Sequence, residues 1–351
     1  MKQKKFAIDL FSGCGGLTQG LKDAGFTVIA AVESDESVSK VYRLNHSSTK
    51  IYSGDIRKLN PAKIKKDFPI ETSPLHLLAA CPPCQGFSSL RRNNRKQSAF
   101  DKRNALIMEF VRYVRALKPL CIMLENVPGL ENYYLFKKAV SELKEMGYSL
   151  TKATLDVVNY EVPQNRERLI VLGSLIGEPA IASARKTKRT VRQQIGSLPH
   201  PRKTKDTLHK MVMHHTARII ELIQHIPKNG GSRKSLPKRL QLKCHQSKKA
   251  GFCDVYGRLR WDDSSVTITG GCLSPSKGRF LHPTQDRAIT PREASLLQTF
   301  PPDYQFLSED FVIQKDKLAL MIGNALPPRF CRIQSTQLMK LLKIHTMSKA
   351  A

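Results

Sequence analysis

Short apolar runs, each cut off by glycine, proline or a lone acid, alternate through the first half of the chain with stretches whose apolar residues return every three or four positions. The runs read as buried strands and the periodic stretches as amphipathic helices. Strands are predicted over residues 6–11 and 27–32 and around Ile51, with helices over 17–24 and 37–44, the first closed by Gly25. Leu75 and Leu77 to Ala80 make a further strand; a helix over 104–117, a strand at 121–124, a helix over 133–146 stopped by Gly147, and strands at 150–156 and 169–173 follow. Such alternation predicts an α/β fold with an open sheet, in which ligands sit at the carboxyl ends of the strands.

The texture changes near residue 184. From there to about residue 280, Lys, Arg, His, Ser and Pro dominate and helical periodicity is weak, with charge in runs such as 185–189 and 232–234. Short strands are predicted at 255–261 and 266–269. Regular order returns with Thr290-Pro291-Arg292-Glu293, a capping box with proline at the first helical position, heading a helix to Leu297. A helix over 318–322 broken by Gly323-Asn324 and a last helix over 329–342 follow, the latter offering Ile333, Leu338, Leu341 and Leu342 for packing on the first domain. The reading is a large domain over 1–184, a smaller irregular domain inserted over 185–285, and a C-terminal segment, 286–351, that returns to the first.

Charge changes the picture more than composition does. The 351 residues carry 58 Lys and Arg against 29 Asp and Glu, a formal +29. An excess of that size attracts polyanions, nucleic acid first among them, against the plainer reading of a solvated basic surface. Eight cysteines scattered along a long chain fit a reducing cytoplasm better than a disulfide scaffold. No stretch approaches the roughly 20 apolar residues of a membrane span, and the amino terminus has no apolar signal core, so no membrane partner is expected. Cys244, His245, Cys253 and Cys272 match no common zinc spacing, and no metal is expected.

Candidate chemistry collects at the predicted strand ends. The strand that ends at Ala80 breaks at Pro82 and Pro83, leaving Cys84 on the loop beyond it, placed like a nucleophile. Cys81 and Cys84 also form a CxxC, open to a redox pair, half a zinc site or small buried hydrophobes. Ser12-Gly13-Cys14-Gly15-Gly16 is a glycine-rich turn between a strand and a helix, and Glu33 ends the next strand, an arrangement suited to a nucleotide-type cofactor with its ribose on the carboxylate. The spacing departs from GxGxxG. In Gly54-Asp55-Ile56, Asp55 is placed either to accept from an adenine amino group or to hold a turn. Glu125, at the tip of a buried strand, is either a proton donor or a helix cap. The polar run 91–96 reads as a loop closing over substrate or as plain solvated surface. The alternating arginines of Gln164-Asn165-Arg166-Glu167-Arg168 mark either a substrate-facing strand or an ordinary ion-paired one.

Taken together in order, these motifs resemble the DNA cytosine C5-methyltransferases, over nearly the whole chain: Asp9-Leu10-Phe11-Ser12-Gly13-Cys14-Gly15-Gly16, Pro83-Cys84-Gln85-Gly86-Phe87-Ser88, Glu125-Asn126-Val127, Gln164 to Arg168, Arg287 to Glu293, and Gly323-Asn324. The resemblance implies a Rossmann-like methyltransferase fold and places a target-recognition domain at the basic insertion. It implies Cys84 as the thiolate that adds to carbon 6 of cytosine, Glu125 at ring nitrogen 3, Arg166 at the base carbonyl, and Arg168 ordering the pocket. S-adenosyl-L-methionine would be held by Phe11, Gly13, Gly15, Gly16, Glu33, Asp55, Ile56 and Asn324. Where the family often has Trp after the ribose-binding acid, Ser34 stands here. The implied substrate is double-stranded DNA with the target base flipped out. A compact chain of this kind is similar to the restriction-modification enzymes, so a monomer with a separately acting cognate endonuclease is the expected setting. A tRNA cytosine C5-methyltransferase and a nonenzymatic DNA-binding regulator are the rival readings; intact Cys84, Glu125 and Arg166 count against the second.

Overall fold

The computed structural model describes residues 4–68, 74–83, 105–242 and 254–348. Two compact units emerge: Met1–Tyr160, Glu167–Arg185 and Leu326–Ala351 form the first, and Glu161–Arg166 with Lys186–Ala325 form the second. Residues 286–325, read above as returning to the first domain, fall in the second unit, and only the segment from Leu326 onward joins the first.

The first unit is built on seven strands: β1 (Phe6–Leu10), β2 (Thr27–Glu33), β3 (Lys50–Ser53), β4 (Leu77–Ala80), β5 (Cys121–Asn126), β6 (Ser149–Asp156) and β7 (Glu167–Ser174). Their order across the sheet is β3-β2-β1-β4-β5-β7-β6, parallel from β3 to β5 and antiparallel where β7 meets β5 and β6. β4 and β5 are buried at every position, which is why they read as unbroken apolar runs. β6, at the edge, has no fully buried residue. The helices α1 (Gly16–Asp23), α2 (Glu36–Asn45), α3 (Pro61–Asp67), α4 (Leu106–Leu117) and α5 (Tyr134–Glu145) fill the crossovers. Their starts are written in the sequence. Asp35 caps α2 by accepting from the backbone of Ser37 and Val38, and Asn60 caps α3 ahead of Pro61 at its first turn. The main core joins Ile8, Leu10, Leu78, Ile122 and Leu124 of the sheet to Phe110, Tyr113 and Val114 of α4 and Phe136 of α5.

The second unit contains α6 (Val191–Ile195), α7 (Thr207–Lys210), α8 (Ala217–Gln224), α9 (Pro291–Leu297) and α10 (Lys315–Asn324). The capping box heading α9 is present with both of its reciprocal bonds. The strands predicted at 255–261 and 266–269 are not regular strands; among the described residues, single bridges join Arg258 to Leu281 and Ser265 to Gln164. Gly323-Asn324 does not break a helix but forms the last turn of α10. One small apolar cluster of the unit joins Leu222, Ile223, Ile226, Leu236, Leu240, Tyr256 and Leu281. Chain with so little ladder must satisfy its backbone carbonyls otherwise, and arginines do it. Fully buried Arg258 donates to the carbonyls of Ile223, Ile226, His282 and Gln285 and pairs with Asp286. Arg279 donates to those of Gly230, Gly231 and Arg258.

The chain closes in the first unit with α11 (Pro328–Ser348), which extends six residues beyond the predicted end at 342. It lies so close to α1 that a Cβ on Gly20 would stand 2.5 Å from Cys331 Cβ and from the Pro328 carbonyl oxygen. No helix among the described residues is long and apolar enough to cross a membrane.

Candidate active site

The carboxyl end of β1 carries an unusual backbone. Phe11 has φ 59°, a left-handed conformation that a bulky side chain adopts at a cost of about 1–3 kcal/mol, and Gly13 and Gly15 follow at φ 55° and 99°. The turn is fastened to the end of β2. Ser12 N–H donates to the Val32 carbonyl at 3.0 Å and Gly13 N–H to Glu33 Oε2 at 2.9 Å. The other Glu33 oxygen accepts from Asp35 N–H at 2.9 Å and lies 3.3 Å from Ser34 Oγ. Both oxygens are thus oriented by backbone donors, with lone pairs left for hydroxyls. A Cβ placed on Gly13 or on Gly54, which follows β3, would meet no heavy atom within 4 Å. The space beside the turn is open, and a nucleoside with its ribose on Glu33 fits it.

Other predicted cofactor residues are disposed less simply. Asp55 turns both oxygens to Arg57, whose Nε lies 2.9 and 3.0 Å away, and that pairing holds the Asp55 carboxyl down at about 2. Ile56 is buried in the core and its carbonyl accepts from Arg112 at 2.8 Å. Gly15 caps α1 and Gly16 is its first residue. Asn324 is exposed at the end of α10 in the second unit.

Around β5 the sheet register makes a polar site. Glu125 lies opposite Ile170 of β7, so Arg168 stands diagonally across from it on the same face. Arg168 Nε meets Glu125 Oε1 at 2.7 Å, with both side chains largely buried. Asn126 Nδ2 donates to the Pro82 carbonyl at 2.9 Å, tying the end of β5 to the two prolines. The Cys81 thiol hydrogen-bonds Glu125; desolvation, with Glu125 and Asp9 nearby, pushes that thiol well above its usual range. Cys81 therefore stays protonated and is no thiolate. Nothing in the sequence pattern marked this contact, since it depends on the pairing of β4 with β5.

Arg166 holds backbone carbonyls. It is buried in the second unit, where its Nη1 donates to the carbonyls of Ile268 at 3.0 Å and Gly323 at 2.8 Å. Beside it, fully buried Gln164 accepts from Ile268 N–H and donates to Gln298. Of the two arginines of the motif, Arg168 lies on β7 and pairs with Glu125. The predicted nucleophile Cys84 lies outside the described residues, as do the run 91–96 and Cys244, His245 and Cys253; Cys272 is buried.

Beneath the turn, Asp9 is wholly buried. Thr18 Oγ1 donates to its Oδ2 at 2.7 Å, its Oδ1 has no hydrogen-bond partner among the described residues, and burial raises its carboxyl to about 7.

Comparison with known proteins places this arrangement. Residues 6–340 match the C-5 cytosine-specific DNA methylase family. The Type II methylase M.HgiDII of Herpetosiphon aurantiacus is 33% identical over 348 residues, covering 96% of this chain and 95% of its own. The Type II methyltransferase M1.HphI of Haemophilus parahaemolyticus is 30% identical, covering 95% of this chain and 86% of its own. Among solved structures, a DNA modification methyltransferase encoded within an E. coli prophage superposes with a TM-score of 0.75 at 24% identity, over 97% of this chain and all of that one. The fold is that of these methyltransferases. Matched from β1 to α11 by the family and by relatives of nearly equal length, the chain belongs to the C-5 cytosine-specific DNA methylases.

Proposed function

We propose that the chain acts on a cytosine flipped out of duplex DNA, with Cys84 as nucleophile and with Glu125 and Arg168 around the ring. The observation that carries this reading is the Glu125–Arg168 pair at the carboxyl end of β5, tied through Asn126 to the prolines that lead into Cys84. Carbon 5 of cytosine is a poor nucleophile. Addition of the Cys84 sulfur to carbon 6 forms a C–S bond and turns the ring into an enamine whose carbon 5 attacks an electrophile. The Glu125 carboxyl supplies a proton or hydrogen bond at ring nitrogen 3, which draws charge from carbon 6. Arg168 holds Glu125 in place and presents its remaining N–H groups to the base carbonyl, the role expected above of Arg166. Arg166 acts at a distance, fixing the segment that enters β7. Water takes the carbon 5 proton, the electrons of that bond restore the carbon 5–carbon 6 double bond, and the Cys84 sulfur leaves carbon 6 as thiolate, which completes the cycle.

The family's methyl donor, S-adenosyl-L-methionine, supplies an activated methyl group when bound. Its holders here are the Phe11, Gly13, Gly15 and Gly16 turn and Glu33, with Asp55 and Ile56 at the adenine; a role for Asn324 rests on the family motif alone. The irregular, basic part of the second unit reads the target, while flipping costs a few kcal/mol drawn from phosphate and groove contacts. The relatives' names, Type II methylase and methyltransferase, support a place in restriction-modification; a monomeric, cytoplasmic enzyme working beside a separate endonuclease is the setting we propose for it.

The test is transfer of a labelled methyl group to mixed-sequence duplex DNA and, in parallel, to tRNA, followed by bisulfite sequencing. Label in DNA cytosines should vanish with Cys84→Ser. Arg168→Ala should lower kcat by at least about 100-fold. Label in tRNA alone, or transfer by Cys84→Ser at the parent rate, would overturn the reading.

A further inference from the structure

The glycine turn is fastened to β2 on one side, and on the other it rests on a residue that no motif singled out. His46, which follows α2, is 1% exposed, and its Nε2 lies 3.2 Å from the carbonyl oxygen of Gly15. A carbonyl only accepts, so Nε2 carries the ring proton. The other ring nitrogen, Nδ1, then accepts from the Lys22 ammonium at 3.2 Å, which fixes the tautomer. Desolvation and the charge of Lys22 push His46 down to about 3, so this ring stays neutral across the working range of pH.

The bond falls at a decisive atom. Gly15 has φ 99° and caps α1, and its carbonyl already accepts the first helical bond from Gln19 N–H at 2.8 Å. A second donor on the same oxygen fixes the peptide plane between Gly15 and Gly16. One turn earlier on α2, Tyr42 is fully buried, and its ring lies 4.8 Å from that of His46. Its hydroxyl meets Thr18 Oγ1 at 2.8 Å, and with the Thr18 proton engaged on Asp9, Tyr42 is the donor. Tyr42 of α2 and His46 at its end thus brace the turn and the first residues of α1.

We infer that His46 is a positioning residue for the methyl donor: by donating from Nε2 to the Gly15 carbonyl it holds the glycine turn in its cofactor-binding shape. The inference rests on the reading of that turn as the S-adenosylmethionine site. A neutral hydrogen bond of this kind contributes a net 0.5–1.5 kcal/mol, so its loss is worth roughly 3–10-fold in affinity.

The experiment is equilibrium binding of S-adenosylmethionine to the intact, DNA-free protein, with kcat and KM, for the parent, His46→Leu, His46→Gln and Glu33→Ala. Leucine keeps bulk without a donor; glutamine keeps an N–H that reaches the carbonyl. His46→Leu should weaken binding and raise KM for the donor by roughly 3–10-fold, with kcat at saturation and DNA affinity within about twofold of the parent. His46→Gln should recover most of the loss. In the parent, the His46 Nε2–H resonance should shift on addition of S-adenosylmethionine, a readout that survives a failure of the leucine variant to fold. Unchanged binding in His46→Leu, equal losses in both His46 variants, or a resonance that ignores saturating cofactor would each overturn the inference. If Glu33→Ala loses binding while His46→Leu does not, only His46 falls; a parent that binds no S-adenosylmethionine removes the reading of the turn itself.

Discussion

A single buried carboxyl sets the residue scale. Asp9 sits in the middle of the sheet with one oxygen on Thr18 and the other unpaired, and burial raises its carboxyl to about 7. An unfolded aspartate titrates near 3.9, so between these values the native state binds the proton and the unfolded state does not. Its contribution is full below about pH 4 and is lost as pH rises to about 7. Across pH 5 to 8 this amounts to about 2–3 kcal/mol, given 1.36 kcal/mol per pKa unit. Asp9→Asn should remove that part of the dependence. Urea unfolding at pH 5 and pH 8 should show the variant gaining on the parent at the higher pH; parallel pH profiles for the two would mean that Asp9 is ionised and paired in the folded protein. The residue scale also shows where sequence reading stopped. Asp9 was visible only as part of a cofactor motif, because the motif carries no sign of which side chain points into the sheet. The resemblance assigns Arg166 to the base carbonyl and Arg168 to ordering the pocket; the spacing of the motif does not say which of the two lies on a strand. Only the start of β7 at Glu167 places one on the strand beside Glu125 and leaves the other in the second unit.

Elements were legible where their causes are local. The caps at Asp35 and Thr290, and the unbroken apolar runs of β4 and β5, are short-range signals, and the corresponding elements lie within a few residues of their predicted bounds, whereas α3, too short for a helical period to show, was not predicted. Non-local causes left no such mark. The antiparallel direction of β7 follows from pairing across the sheet, and the weak strands expected near 255–269 find only single bridges to pair with among the described residues. The closeness of α1 and α11 belongs to this second class, and it makes a prediction of sign. Gly20→Ala improves intrinsic helix propensity by about 1 kcal/mol. Against that, the added methyl would stand 2.5 Å from Cys331 Cβ and a backbone oxygen, neither of which is the free end of a flexible side chain. Overpacking of this kind costs about 1–3 kcal/mol, so the net should be destabilising. A lowered urea midpoint with an unchanged slope would bear this out, whereas a raised midpoint would mean that α11 can yield.

At the scale of the whole molecule, positive charge has two distinct uses. Residues 186–249 hold 17 Lys and Arg against Asp206 and Glu221, the most lopsided part of a chain that is +29 overall. Yet the arginines buried in the second unit are spent on structure: Arg258 on four carbonyls and Asp286, Arg287 on Glu293, and Arg292 on Asp206 and the Tyr304 carbonyl. A planar fork of five donors can satisfy several loop carbonyls at once, whereas a lysine cannot spread its donors in that way. Lys203, Lys205 and Lys210 are exposed instead, at the surface where phosphates can reach them. The two groups should fail differently. Replacing these three lysines with alanine should weaken binding to every duplex alike and reduce the slope of log affinity against log salt by about 2–3, with the unfolding midpoint unchanged. Arg258→Ala should cost about 2–4 kcal/mol of stability by taking its donors from the buried Ile226 and His282 carbonyls and leaving Asp286 to Lys228 alone, and Arg258→Lys should recover little of it. Titration of duplex DNA at several salt concentrations, set beside urea unfolding, separates the cases. A lysine variant whose salt slope stays at the parent value, or an Arg258→Lys protein as stable as the parent, would break the division between charge that reads DNA and charge that holds the fold.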